Sequence, residues 1–212
     1  MKNRPTIALL TVPIAVAAYM TFHPGVAFAE TPLSRLAPTI LEESAAYTVD
    51  GMHTCLGFEI GHLGLSKVQG RFDKLSGKLN VDSKDLANSS VQFTAQTDSV
   101  DTNVAPRDAD LRSPNFFDVA KFPELSFKST KIFKQGKSYL AEGELTIKGV
   151  TKSVKLPFKA YGPIKDPWGN LRIGVVAEPI VLHRSDYGMK FDADSVADEV
   201  TVRISLEATQ DK

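Results

Sequence analysis

The fold class this sequence predicts is all-β, built from about eight antiparallel strands with one short helix between them. Three observations predict it. From Ala46 almost to the C-terminus apolar residues recur with a period of two, as in strands that cover one face and wet the other. Gln135-Gly136, Lys148-Gly149 and Trp168-Gly169-Asn170 interrupt that pattern with residues that tolerate the positive φ of tight hairpins. Only Ala105–Leu111 carries clear helix signals.

The chain begins with a segment of a different kind. Lys2 and Arg4 precede the largely apolar Ile7–Met20, and Ala27-Phe28-Ala29 is an A-x-A cleavage site. Residues 1–29 therefore read as a cleaved secretory signal, with Glu30 first in the mature chain. Pro13 and the polar break at His23-Pro24-Gly25 argue against a retained anchor, which needs about 20 apolar residues. Residues 30–45, with Pro32 and Pro38, are a lead-in with a short helix expected at Thr39–Ala45. Residues 46–212 then form one domain, long enough for its own core and too short for two.

The strands follow in order. Tyr47 lies in a short opening strand, Ala46–Asp50. In Cys55–His62, the residues Leu56, Phe58, Ile60 and His62 share one face. Val68, Gly70 and Phe72 lie on one side of the next segment, then Leu75, Gly77, Leu79 and Val81 take it over, so a bulge or tight bend is expected at Asp73-Lys74. Val91, Phe93 and Ala95 point inward in the strand after that. Leu125–Phe133 is another strand, followed by the faces Tyr139–Ile147, Val154–Ala160, Leu171–Ala177 and Val200–Leu206. Such strands must close on themselves or pair as sheets to hide their apolar faces. Eight closed strands leave an interior that is either packed full or able to hold one small elongated ligand.

The helix has Pro106 in its first turn, Asp108 and Arg112 at i,i+4 spacing, and Pro114 as its stop. After it come Phe116, Phe117 and Phe122, between Pro114 and Pro123, as a plug or lid at one barrel end. Asp186–Asp198 carries four aspartates but lacks the glycine and closing Glu of a calcium loop, and reads as a solvated connection. Cys55 is the single cysteine, so burial rather than an internal disulfide must stabilise an exported domain. It is expected as a small packed side chain.

The chemistry of catalysis is sparse. There is no CxxC, no zinc helix motif, no nucleophile elbow, no phosphate loop and no dinucleotide fingerprint. His53, His62 and His183 do not stand at metal-ligand spacing. Neither a metal nor another cofactor is expected, and no enzyme activity. The chain has 25 basic and 25 acidic residues, and losing Lys2 and Arg4 leaves it slightly acidic. That gives no case for nucleic acid or an anionic membrane surface, and no stable membrane insertion is expected.

Three segments, Tyr47–Gly70, Arg107–Ser129 and Gly143–Val154, resemble the YceI-like family of lipid-binding proteins. Tyr47, Asp50, His53, Phe58, His62-Leu63-Gly64, Gly70 and Phe72 match its opening. Arg107-Asp108, Leu111, Phe116-Phe117 and Pro123 match its centre, and Gly143, Leu145-Thr146, Gly149-Val150-Thr151, Arg184, Asp186 and Gly188 complete it. The resemblance covers roughly Ala46 to Ala208. It implies a lipocalin-like eight-stranded antiparallel β-barrel, a periplasmic location, and an isoprenoid or other long-chain lipid ligand in the lumen; a homodimer would fit it too. Two positions depart from the family pattern: Asp110 stands where many members carry His, and His183 where Asn often precedes the Arg.

Strand parity then nominates a lumen lining of Phe58, Ile60, His62, Phe72, Phe93, Phe127, Leu145, Phe158 and Val175, with Phe116, Phe117 and Tyr187 near an opening. Gly70, Gly77, Ala95, Ala141, Gly143 and Ala177 are inward residues that leave room. Arg107, Arg112 and Arg184 are head-group candidates, against a reading in which Arg107–Asp108–Arg112 and Arg184–Asp186 are structural ion pairs. Two rivals stand beside a lipid carrier or store: an enzyme acting on a lipid-like substrate with His62 or His183 as base, and a solid barrel that binds a partner in a stress response.

Overall fold

A computed structural model describes residues 44–212. The expected signal segment 1–29 and nearly all of the expected lead-in 30–45 lie outside the described residues. Ser44 and Ala45, expected at a helix end, instead begin a strand.

Twelve strands and one helix follow. They are β1 (Ser44–Val49), β2 (Cys55–His62), β3 (Ser66–Phe72), β4 (Leu75–Asp82), β5 (Ser90–Gln96), β6 (Val100–Asp101), α1 (Ala105–Arg112), β7 (Glu124–Gln135), β8 (Ser138–Ile147), β9 (Val150–Lys165), β10 (Leu171–Ala177), β11 (Ile180–His183) and β12 (Val196–Gln210). All pairings are antiparallel, and the ring β1-β4-β5-β7-β8-β9-β10-β12 closes where β12 pairs with β1. The predicted eight-stranded barrel is the observed one. The larger strand count comes from bends: β1 and β2 lie end to end along one side of β12, β10 and β11 along its other side, and β3 and β4 meet at Asp73-Lys74. That last bend is where the parity of the sequence slips.

The turn chemistry is as expected. Gly136, Lys148, Gly149 and Gly169 all have positive φ. The helix spans Ala105–Arg112 with Pro106 in its first turn. β11 was not foreseen, because four residues after Glu178-Pro179 are too few to show a period.

The ring gives one half of the barrel a solid core. Tyr47, Leu79, Ala95, Ile132, Ala141, Leu206 and Ala208 are all buried there. β12 is long enough to leave that ring, and its first half carries β2 and β11, with β3 beyond β2. These strands wall a second half, roofed by α1, the segment 113–123 and the loop 184–195.

Two expectations are corrected. Gly70 and Gly143 do not open the lumen, since neighbouring rings occupy the space, and at Gly77 the Gln92 carbonyl and Val49 do so. Gly70 stands opposite Phe58 across the β2–β3 ladder, and a Cβ there would lie 2.3 Å from the Phe58 ring. At Gly143 the Phe127 ring takes the same place, 2.6 Å from such an atom. Cys55 is exposed rather than packed, because the outer face of β2 is uncovered where it faces Ser205.

Candidate functional site

The second half of the barrel is hollow. Its cavity measures about 360 Å³, within the usual range for small-molecule sites. The walls come from alternate residues of strands: Leu56, Phe58 and Ile60 of β2, Val68 and Phe72 of β3, Leu145 and Ile147 of β8, Val154 and Leu156 of β9, and Val200, Val202 and Ile204 of β12. Ile180 and Leu182 of β11 add to them, with Leu111, Phe116, Phe117, Tyr187 and Met189 in the roof. Polar groups reach the cavity at its mouth, from His62, Arg107, Asp110 and Asp192.

The structure gathers most of the nominated lining. Phe58, Ile60, His62, Phe72, Phe93, Phe116, Phe117, Phe127, Leu145 and Tyr187 all border the cavity, as do Arg107 and Arg184. Phe158, Val175 and Arg112 do not. Phe158 stacks on Tyr139 with ring centroids 5.4 Å apart, and Val175 stands opposite Leu206; both belong to the solid half. Parity reports which face a residue is on and says nothing of its depth along the barrel axis. Conversely, Val200, Val202 and Ile204 have inward parity in the sequence but were not nominated. Ile180 and Leu182 went unseen because their strand did.

The arginines have structural work, though not the ion pairs expected. Arg107 donates to the Thr102 hydroxyl at 2.7 Å and to the Thr102 carbonyl at 2.9 Å. Buried Asp108 accepts from the Thr102 N–H at 2.9 Å, so the first turn of α1 is stitched to the end of β6. Arg112, which does not line the cavity, donates to the carbonyls of Asp98 and Val100, both at 2.7 Å. Arg184, only 5% exposed, donates to four carbonyls: Ala197 (2.9 Å), Met189 (2.9 Å), Phe191 (2.7 Å) and Val196 (2.9 Å). Asp186 pairs with Lys152 instead, at 2.9 Å. A guanidinium has five N–H donors, so Arg184 has little left for a ligand.

Those four bonds shape the roof loop. The segment expected as a solvated connection sinks Tyr187 and Met189 into the core, while its aspartates 192, 194 and 198 stay exposed. Burial pushes the Tyr187 phenol above its ordinary pKa, and Asp186 adds to this, so its edge of the cavity is neutral. Asp198 is held below the usual carboxylate range by the Ser185 N–H and hydroxyl, which pin the loop's start to β12 at 2.8 Å each. Phe116 meets Phe191 edge-on across the roof, with centroids 5.8 Å apart.

Of the described histidines, only His62 borders the cavity. His183 pairs with Asp198 at 3.3 Å, and His53 with Asp50 at 2.9 Å. No group of three or more His, Cys, Asp or Glu among the described residues is placed to hold a metal ion.

Comparison with known proteins agrees with this architecture. Residues 47–208 match the YceI-like domain. A UPF0312 protein of Pectobacterium carotovorum is 39% identical over 184 residues, covering 86% of this chain and 95% of that one. Among solved structures, BcnA of Burkholderia cenocepacia superposes with a TM-score of 0.69 at 24% identity, covering 76% of this chain and 99% of its own. A polyisoprenoid binding domain from Saccharophagus degradans, implicated in plant cell wall breakdown, does so with a TM-score of 0.61 at 19% identity, covering 79% and 99%.

Proposed function

This chain belongs to the YceI-like family, and we propose that it binds one long amphiphile, polyisoprenoid or fatty-acyl, in the hollow half of its barrel and carries or stores it in the periplasm. The observation that carries this reading is a cavity of about 360 Å³ walled mainly by apolar side chains. Burying each CH₂ contributes about 0.8 kcal/mol. A chain of a few isoprene units thus gains roughly ten kcal/mol before association costs, with few directional contacts needed. The fold-level likeness to a domain described as polyisoprenoid binding supports the same ligand class. The A-x-A site at Ala27-Phe28-Ala29 supports export, and no helix among the described residues is long and apolar enough to cross a membrane.

Binding rather than turnover fits the site. Of the two histidines a lipid-acting enzyme could use as base, His183 pairs with Asp198 and does not line the cavity, while His62 lines it from an exposed position. Native mass spectrometry of the purified protein tests the proposal. A hydrophobic adduct that disappears in a folded Leu145→Arg variant is the expected result. A bare mass, with no uptake of added prenol or fatty acid, would leave only the partner-binding reading.

A further inference from the structure

We propose that the protein docks mouth-first on a zwitterionic phospholipid surface through the β2–β3 turn, letting an amphiphile pass between bilayer and lumen without crossing water. The proposal rests on the lumen reading above and adds a partner to it. The turn is unusual. Leu63 has φ 51° and Gly64 φ 65°, and the Leu65 N–H donates to the His62 carbonyl at 3.0 Å. This is a two-residue hairpin turn with positive φ at both central positions, where Asn-Gly or Asp-Gly is preferred. A bulky residue at positive φ is disfavoured. Yet the first position holds Leu63, 55% exposed, and the next side chain along is Leu65, 85% exposed. Local conformation does not favour a leucine at 63, and core burial rewards neither. An apolar medium outside the protein rewards both.

The position of the turn says what that medium is. The Leu63 N–H donates to the Ser195 carbonyl at 2.7 Å, which joins the turn to the loop carrying exposed Phe191. Phe191 meets Phe116, and Phe116 borders the cavity. The turn is thus tied to the stretch of chain whose Met189, Asp192 and Val196 line the cavity. The charges select the kind of membrane. Lys67, at the base of the turn, is taken by Glu59, and Asp110, Asp192 and Asp194 are exposed around the opening. Arg107 and exposed Lys190 stand among them, so the rim carries a slight acidic excess and lacks the cluster of Lys and Arg that an anionic surface attracts. Shallow insertion of leucines into a neutral interface remains.

The single tryptophan makes the test directional. Trp168 sits 79% exposed on the β9–β10 turn, at the other end of the barrel. With phosphatidylcholine vesicles, its emission is expected to stay unchanged. In a Leu65→Trp, Trp168→Phe variant, emission should shift to the blue. A Leu63→Asn, Leu65→Ser variant should lose vesicle co-sedimentation by about tenfold or more, and phosphatidylglycerol in the vesicles should weaken native binding. The same variant should still take up prenol delivered in detergent micelles. Docking is overturned if Trp168 itself shifts, if the double variant sediments with vesicles like the native protein, or if that variant changes a dimer into a monomer without vesicles, which would make a second copy the occupant. An empty lumen in native protein and variant alike would instead overturn the lumen reading, whatever the vesicle result.

Discussion

One half of this barrel is solid and the other hollow, although both are made of strands with the same alternation. In the solid half all eight ring strands surround the interior, and their inward positions combine Tyr47 and Leu206 with Ala95, Ala141 and Ala208. Large and small side chains interlock, and Ala208 is 0% exposed. In the hollow half only part of that ring continues, joined by β2, β3 and β11, and irregular chain and α1 supply the roof. A helix and two loops cannot present alternating side chains at close spacing, so they roof a space without filling it. A pocket in such a fold is created by where the regular wall ends. The inward sequence pattern is the same on both sides of that boundary.

The largest effect should come from removing what holds the roof. Arg184→Ala leaves four carbonyls without their partner in a buried site. The expected loss is about 3–5 kcal/mol, read as a lower denaturant midpoint, and Arg184→Lys should not restore it because an ammonium cannot span the four acceptors. A loss under about 1 kcal/mol would mean that the roof loop holds its shape without this residue.

Added bulk separates the halves next. Ala208→Phe has no space to enter and should cost about 1–3 kcal/mol or prevent folding. Val202→Phe projects into the cavity and should change stability by less than about 1 kcal/mol while displacing the bound amphiphile. Equal destabilisation by the two, measured by thermal unfolding, would show that the cavity is not a space in solution.

The difference between the two halves also decides what was legible in the sequence. Periodicity and turn residues located the longer strands, the bend at Asp73-Lys74 and the inward faces, since these depend on local geometry, while the four residues of β11 were too few to show. Depth was hidden: Phe158 and Val175 have the same parity as Phe58 and Leu145 but sit in the other half. Arg184 and Arg112 were legible as important and not as to why. Their partners are backbone carbonyls, which every residue has and no motif marks. Cys55 was misread from the general habits of its residue type, although its parity already put it on the outer face.

A smaller effect belongs to the outside wall of the solid half, where Arg172 donates to Asp50 at 2.7 Å and to Asp166 at 2.9 Å. Arg172, then His53, lowers the Asp50 carboxyl from 3.8 to about 2. Burial alone would raise Asp166, but Arg172 and the Asn170 amides bring it down from 3.8 to about 2 as well. Folded-state values below the unfolded ones mean the ionised carboxylates stabilise the fold above about pH 4, and this stabilisation fades as pH falls towards 2. Arg172→Met should therefore lower the melting temperature at pH 7, with the gap to native protein closing between about pH 4 and pH 2. Amphiphile binding should be unchanged, because the cluster lies away from the lumen. A gap that persists at pH 2 would assign the role of Arg172 to packing rather than charge.

The smallest effect is a gain. Leu63→Asn places a residue suited to positive φ at the first position of the β2–β3 turn, and removes an exposed apolar side chain that contributes nothing to the core. The melting temperature should rise by about 2–4 °C, corresponding to about 1 kcal/mol in a domain of this size. Ala208→Phe and Arg184→Ala lose stability because those positions serve the fold. A position where a single polar change improves the fold serves something else, and here it lies at the rim of the cavity. If Leu63→Asn destabilises the protein, then Leu63 makes contacts that the folded monomer needs, and its presence at this turn requires no apolar partner outside.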